Sequence, residues 1–280
     1  MTGGAWTAVN TITPSAINAW VGEEVKVIGT EATIIASIGN HDVSATGAAF
    51  GFNDTSGTLL SFRGWALHDM KATAFGHFQL PPRNPFMNAA QAPSTRSLLE
   101  IDHKVGFYGR LEWRPPWPFT INAFYYDNRG DPTAVNPSLQ WGWRTRFWNF
   151  GLNADLGGGT HLLAQAMTGT TLMGFKFHGD YWVHTRFRSA YALLTHDIGR
   201  GAITGRLEAF DTRERGTRME TSNSEKGWAA TVAGRWSITN DLTGLVELLH
   251  VHSKRPFRAT VGFPAVEDQN VVQAALRFRI

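Results

Sequence analysis

Residues 226–238 read KGWAATVAGRWSI, and the two sides of this stretch are different surfaces. Trp228, Ala230, Val232, Gly234, Trp236 and Ile238 occupy one parity; Ala229, Thr231, Arg235 and Ser237 occupy the other. Successive side chains of a strand point to opposite faces, so a period of two means one face meets an apolar medium and the other does not. The pattern recurs. Residues 104–113 set Val105, Phe107, Gly109, Leu111 and Trp113 against Lys104, Tyr108, Arg110 and Glu112. Residues 181–196 set Tyr181, Val183, Phe187, Tyr191 and Leu193 against His184, Arg186 and Arg188. Residues 202–211 set Ile203, Leu207 and Ala209 against Thr204, Arg206 and Glu208.

Twelve such segments are expected: 30–38, 43–52, 58–68, 104–113, 119–128, 141–153, 160–168, 181–196, 202–211, 226–238, 243–252 and 269–280. In 141–153, Arg144 and Arg146 share parity with Trp148, Phe150 and Leu152, so a bulge or a girdle crossing is needed there. Short turns at 115–118, 157–159, 199–201 and 239–241 alternate with longer connections at 70–103, 129–140, 169–180, 212–225 and 253–268. Short turns on one side and long loops on the other describe the periplasmic and extracellular ends of an outer-membrane barrel. Counting parity through 58–68 puts the connection 53–57 on the periplasmic side, although 39–42 is also short.

The composition fits a membrane barrel. The 280 residues include 11 Trp, 18 Phe, 29 Gly and no Cys, and only 18% are charged. Without Cys there is no disulfide framework, zinc-thiolate site or cysteine nucleophile. A net charge of +3 is too small to indicate nucleic acid. No run reaches the ~18 apolar residues a spanning helix needs, and mean hydropathy is −0.21. Lipid cannot satisfy backbone N–H and C=O groups, so strands survive in it only as closed sheets. An apolar face built from single alternating residues keeps overall hydropathy low. Trp113, Trp117, Trp141, Trp143, Trp228 and Trp236 fall near segment ends, where aromatic girdles meet headgroups. The expected fold is therefore an all-β, antiparallel up-and-down transmembrane barrel over 30–280, preceded by an N-terminal segment, 1–29, that is partly irregular or an incomplete strand.

The phrases GAAFGFND (47–54), SFRGWALHD (61–69), YDNRGDPTA (126–134), WRTRFWNFG (143–151) and LLAQAMTGTTLMG (162–174) resemble those of porin-like proteins of alphaproteobacteria. More loosely, in architecture and charge, the chain is similar to phosphate-selective and other anion porins. The resemblance implies a longer family member with a signal peptide and a fuller barrel of about sixteen strands, of which this chain is an N-terminally truncated part. No leader is visible in MTGGAWTAVNTITPSA. It also implies a cell outer membrane location and a homotrimer. The last strand carries Val272, Ala274, Leu276, Phe278 and Ile280 at alternate positions; it resembles the signal read by the barrel-assembly machinery. Outer-membrane lipid and lipopolysaccharide are the surroundings such a wall implies.

With the apolar rows outward, parity assigns Arg63, Lys104, Arg110, Arg144, Arg146, Arg186, Arg188, Arg206, Arg235 and Arg277 to the lumen, with Arg279 beyond them. Against them stand Glu31, Glu112 and Glu208, with Glu247 ambiguous. Guanidinium groups in a narrow tube attract anions, and Arg pairs with phosphate or carboxylate in bidentate fashion. The function expected is passive diffusion of small anionic solutes, without a cofactor, a metal or an enzymatic activity.

Two other classes of protein share this patterning in part. A barrel enzyme of lipid-hydrolase type needs a Ser–His pair and an orienting group; His196–Asp197, or His250 and His252 with Ser253, lie in no nucleophile motif. His250 and His252 share a parity, but no third metal ligand accompanies them. Glu23 and Glu24 are adjacent, so on a strand they point apart, unlike a glycosidase pair. A soluble β-barrel binding protein would have the reverse arrangement, apolar inside and Arg rows in solvent.

Overall fold

The computed structural model describes residues 9–68, 70, 73 and 75–279. Its strands are β1 (Ile28–Ile38), β2 (His41–Gly51), β3 (His77–Gln79), β4 (Ser94–Arg96), β5 (Gly106–Arg114), β6 (Phe119–Asp127), β7 (Arg144–Gly157), β8 (Thr160–Phe177), β9 (Asp180–Ile198), β10 (Gly201–Glu214), β11 (Glu225–Ser237), β12 (Leu242–Lys254) and β13 (Val266–Phe278). Four helices accompany them: α1 (Ala16–Glu24), α2 (Thr58–Phe62), α3 (Pro85–Ala90) and α4 (Phe257–Thr260).

Eleven strands form one sheet in the order β1-β2-β5-β6-β7-β8-β9-β10-β11-β12-β13, every neighbouring pair antiparallel. Among the described residues β3 and β4 pair only with each other. The meander is all-β and up-and-down. Among the described residues β1 and β13 are the sheet's two edges. The sheet curls into a barrel-like wall around the N-terminal segment. Trp20 packs on Phe147 of β7, while Thr13 meets Gln273 of β13. In a flat sheet those strands would be six spacings, roughly 29 Å, apart.

Large apolar side chains cover the outside. Ile34, Leu111, Leu207, Val232, Leu248 and Leu276 are all exposed, Leu207 by 68% and Leu276 by 73%. Val105, Phe107 and Leu111 face outward as expected. From Trp236 to Trp228 the outward row of β11 spans eight steps, about 26 Å along the strand, which a tilt of about 40° projects to roughly 20 Å, most of the height of an outer-membrane apolar band.

Eleven of the twelve expected segments are strands. The exception, 58–68, opens with α2 and continues as irregular chain inside the wall. Gly57 has φ +109°, and a Cβ there would collide with Thr171 of β8, so the chain turns into α2 at that point. Removing this strand settles the parity of the connections. Gly39–Asn40 joins the other short turns, and 52–105 becomes one long connection at the opposite end. The expected loop at 169–180 is also corrected: β8 and β9 run on for 18 and 19 residues to a tight turn at His178–Gly179. Segment 1–29 contains a helix, α1, capped by Ser15, whose hydroxyl accepts the Asn18 N–H.

Four expected lumen residues lie on the outer face. Arg144 and Arg146 share the exposed side of β7 with Trp148 and Phe150, with no bulge between them. Arg186 and Arg188 are exposed on β9, whose buried row is Val183, Thr185, Phe187, Ser189, Tyr191, Leu193 and Thr195. The reason is that apolar residues have two places to go. Aromatics of β9 pack on helix and loop residues inside the wall, while Ala190, Ala192 and Leu194 meet the outer medium. Trp141 and Trp143 are corrected likewise. Both are buried, Trp143 edge-on to Phe62 and Trp141 against Phe175 and Trp182.

Candidate functional site

The inner face carries both an apolar cluster and charged groups, and much of its charge holds two chain segments. Residues 9–24 are the first. Glu247 of β12 accepts the N–H groups of Ile12 and Thr13 at 2.7 and 3.1 Å. Glu208 of β10 accepts the Ala16 N–H at 2.8 Å, and Arg206 donates to the Thr13 carbonyl at 2.7 Å and to Glu208 at 2.8 Å. Arg277 of β13 donates to the carbonyls of Val9 and Thr11 at 2.9 and 2.8 Å. Each buried charge thus meets a partner, as burial of a charge demands.

Residues 53–68 are the second segment. The Glu24 carboxylate accepts the Trp20 indole N–H at 2.6 Å and the backbone N–H groups of Gly57, Leu59 and Leu60 at 3.2, 2.7 and 3.3 Å. It therefore caps the first turn of α2, where free N–H groups gather. Full burial pushes this carboxyl up to about 7, against the pull of those donors. Neighbouring Glu23 takes a bidentate pair from Arg63, 2.5 and 2.9 Å, and sits 2.9 Å from His68. Burial would raise Glu23, but the Arg63 and His68 contacts prevail and hold it at about 2. Trp20 forms an aromatic cluster with Trp65, Phe147 and Phe187, centroids 6.0, 5.4 and 5.1 Å away. Beyond the end of β12, Arg255 donates to the carbonyls of Ser61 and Phe62, both at 3.0 Å. Glu225 of β11 accepts the Trp65 N–H at 2.8 Å.

A cavity of about 380 Å³ remains along the inner side of β1, β2 and β5. Glu31, Thr33, Asp42, Ser44, Thr46, Tyr108, Arg110, Glu112 and Arg114 line it. Glu112 is paired with both Arg110 and Arg114, the latter at 2.5 Å, and Tyr108 donates to Glu31 at 2.5 Å. The lining therefore holds two cations and three carboxylates.

The expected lumen residues thus separate into groups. Arg110, Arg206, Arg235 and Arg277 are on the inner face, with Arg235 lying 3.6 Å from Asp197. Arg63 is inside too, but on the C-terminal cap of α2 rather than on a strand. Lys104 lies before β5 at the long-loop rim, 3.1 Å from Asp131. Arg144, Arg146, Arg186 and Arg188 are outside. Sequence reading missed α1 and the capping role of Glu24, although Ser15 ahead of a helical stretch is a visible N-cap signal. It also missed Glu225 and Arg255, which no local pattern distinguishes.

The enzyme candidates do not converge. Ser253 faces inward and donates to Glu225 at 2.6 Å, whereas His250 and His252 face outward to Asn270 and Asp268 at 2.9 and 2.7 Å. His196 bonds Thr160 at 2.9 Å near a turn. Asp54, Glu100 and Asp102 cluster at the long-loop end, where they accept backbone N–H groups of Ile101, Phe52 and Lys104 at 2.5, 2.8 and 2.9 Å. They staple loops.

No protein-family model matches the chain, and no curated protein does. Among solved structures it is similar to the outer membrane channel DcaP of Acinetobacter baumannii, with a TM-score of 0.46 and 9% identity over 91% of this chain and 85% of that one.

Proposed function

We propose that this chain is a porin-like barrel of the bacterial outer membrane that passes small polar solutes by diffusion. The observation that carries the reading is the outer wall. Large apolar side chains stand exposed on strand after strand, while Glu, Arg, Thr and Asn share the inside with an aromatic and aliphatic cluster around Trp20, Phe147 and Phe187. In water such a surface would drive association; in lipid it is the required one. A soluble binding barrel has the opposite polarity.

The finer part of the proposal is an anion preference. It rests on fewer inner cations than the sequence suggested: Arg110 and Arg114 in the cavity, with Arg235 and Arg277 on the neighbouring inner face. Glu31, Asp42 and Glu112 outnumber the two Arg residues of that cavity, so the preference is slight and is carried by Arg235 and Arg277. The fuller sixteen-stranded barrel, the homotrimer and recognition of the last strand by the assembly machinery belong to the same proposal.

The test is conductance of the purified chain in planar bilayers, with reversal potentials across a salt gradient. Small steps with a slight anion preference are expected. Recovery of the chain as a detergent-free soluble monomer would defeat the membrane reading, and a cation preference would defeat the anion part.

A further inference from the structure

Beyond the apolar rows, toward the long-loop end, the outer wall carries a basic patch that the channel reading does not use. Register places its members side by side. Arg146 of β7 is opposite Thr170 of β8, Thr170 is opposite Arg186 of β9, and Arg186 is opposite Arg213 of β10. One row nearer the apolar band, Arg188 is opposite Asp211, Asp211 is opposite Lys226 of β11, and Lys226 is opposite Lys254 of β12. All six cations are exposed.

Two of these juxtapositions are like-charge pairs directly across an antiparallel ladder: Arg186 with Arg213, and Lys226 with Lys254. Such pairs are destabilising on their own. Asp211 takes Arg188 at 2.5 Å. Among the described residues no carboxylate lies within ion-pair distance of Arg186, Arg213 or Lys254. The patch begins where Trp148 and Trp228, both exposed, close the apolar rows of β7 and β11. Aromatic residues in such rows mark the headgroup level, and long loops mark the external leaflet.

We infer that this patch binds the phosphate-bearing headgroup of an anionic saccharolipid in the outer leaflet. Guanidinium groups pair with phosphate oxygens through two parallel hydrogen bonds. An anion lying between Arg186 and Arg213 turns their repulsion into attraction, and acyl chains would then run down the apolar face below. The inference rests on the membrane reading above.

The experiment uses the full chain in phosphatidylcholine vesicles containing lipid A, or lipid A stripped of its phosphates, with lipid retained on the purified protein counted by native mass spectrometry. Phosphorylated lipid A should be retained about tenfold more strongly than the stripped form. Excess inorganic phosphate should not displace it, because the acyl chains add to the binding. R186Q/R213Q should remove most of the difference, and R186K/R213K should keep more of it. Equal retention of the two lipids by the unaltered chain would overturn the inference without reference to any variant, as would full displacement by free phosphate. Insertion into phosphatidylcholine vesicles alone separates the two failures. Insertion without phosphate discrimination sinks only the headgroup site, whereas failure to insert sinks the membrane reading and the site with it.

Discussion

Glu247, on a strand of the wall, and Thr13, on a segment inside it, are joined through the Thr13 backbone N–H at 3.1 Å, with the Ile12 N–H bound to the same carboxylate at 2.7 Å. A charged wall residue is therefore a latch for chain that occupies the interior. Replacing Glu247 by Ala leaves two buried N–H donors without an acceptor, at about 1–3 kcal/mol each. Segment 9–16 should loosen. In bilayers the variant is expected to show larger or noisier conductance steps than the parent chain. Unchanged steps would mean that this segment does not obstruct the path.

The second latch is sensitive to pH. Glu24 is held up at about 7, above its unfolded value, so its protonated form favours the folded state. That contribution is fully present below the unfolded value near 4.5 and is lost as pH rises through about 7. Glu23 behaves oppositely. Its value near 2 gives stability above the unfolded value that disappears as pH falls toward 2. Urea midpoints, read from heat-modifiable gel migration, should peak around pH 4–5 and decline on both sides. E24Q should reduce the decline between pH 5 and 7, the remainder belonging to Asp54, which burial raises to about 6. An E24Q profile as steep as the parent's across that range would place the titration elsewhere.

Outer and inner apolar residues should respond differently to substitution. Phe187 is buried against Trp20 and Trp65, and F187A should cost about 3–5 kcal/mol. Leu207 is exposed on the outer wall. L207A should be nearly neutral in lipid, because hydrocarbon takes the place of the lost side chain. L207R should cost about 2–4 kcal/mol in a bilayer. Denaturant titrations in vesicles measure all three, and a neutral L207R would mean that this face does not meet hydrocarbon.

Because the chain has no Cys, single cysteines report facing cleanly. On β11, Val232 is exposed and Ala233 is buried. A nitroxide attached at V232C before reconstitution should be strongly relaxed by dissolved oxygen, which concentrates in the bilayer core, and one at A233C should be relaxed much less. Equal relaxation at both sites would contradict the assigned faces.

Period-two patterning alone made most of the wall legible. β11 and β5 could be read to the residue, because their apolar row has only one destination, the outer medium. β9 could not. Its Phe187 and Tyr191 pack against Trp20 and residues of the inner chain, which lie far away in sequence, so an apolar row there gives no clue to which side it faces. Residues 58–68 failed for a related reason. Leu59, Leu60 and Phe62 are apolar because they are enclosed by the wall, and the capping group that makes them helical, Glu24, is more than thirty positions earlier. The Arg residues followed the same logic. A guanidinium at the end of an apolar row suits a headgroup as well as a water-filled lumen, and parity cannot choose between them.

The strand count has a geometric consequence. With eleven antiparallel neighbours in series, β1 and β13 both run from the long-loop end toward the short turns. Zipping one directly to the other would create a lone parallel seam, with slanted and slightly weaker bonding. Keeping the alternation unbroken around the circumference takes an odd number of intervening ribbons, whichever polypeptide supplies them.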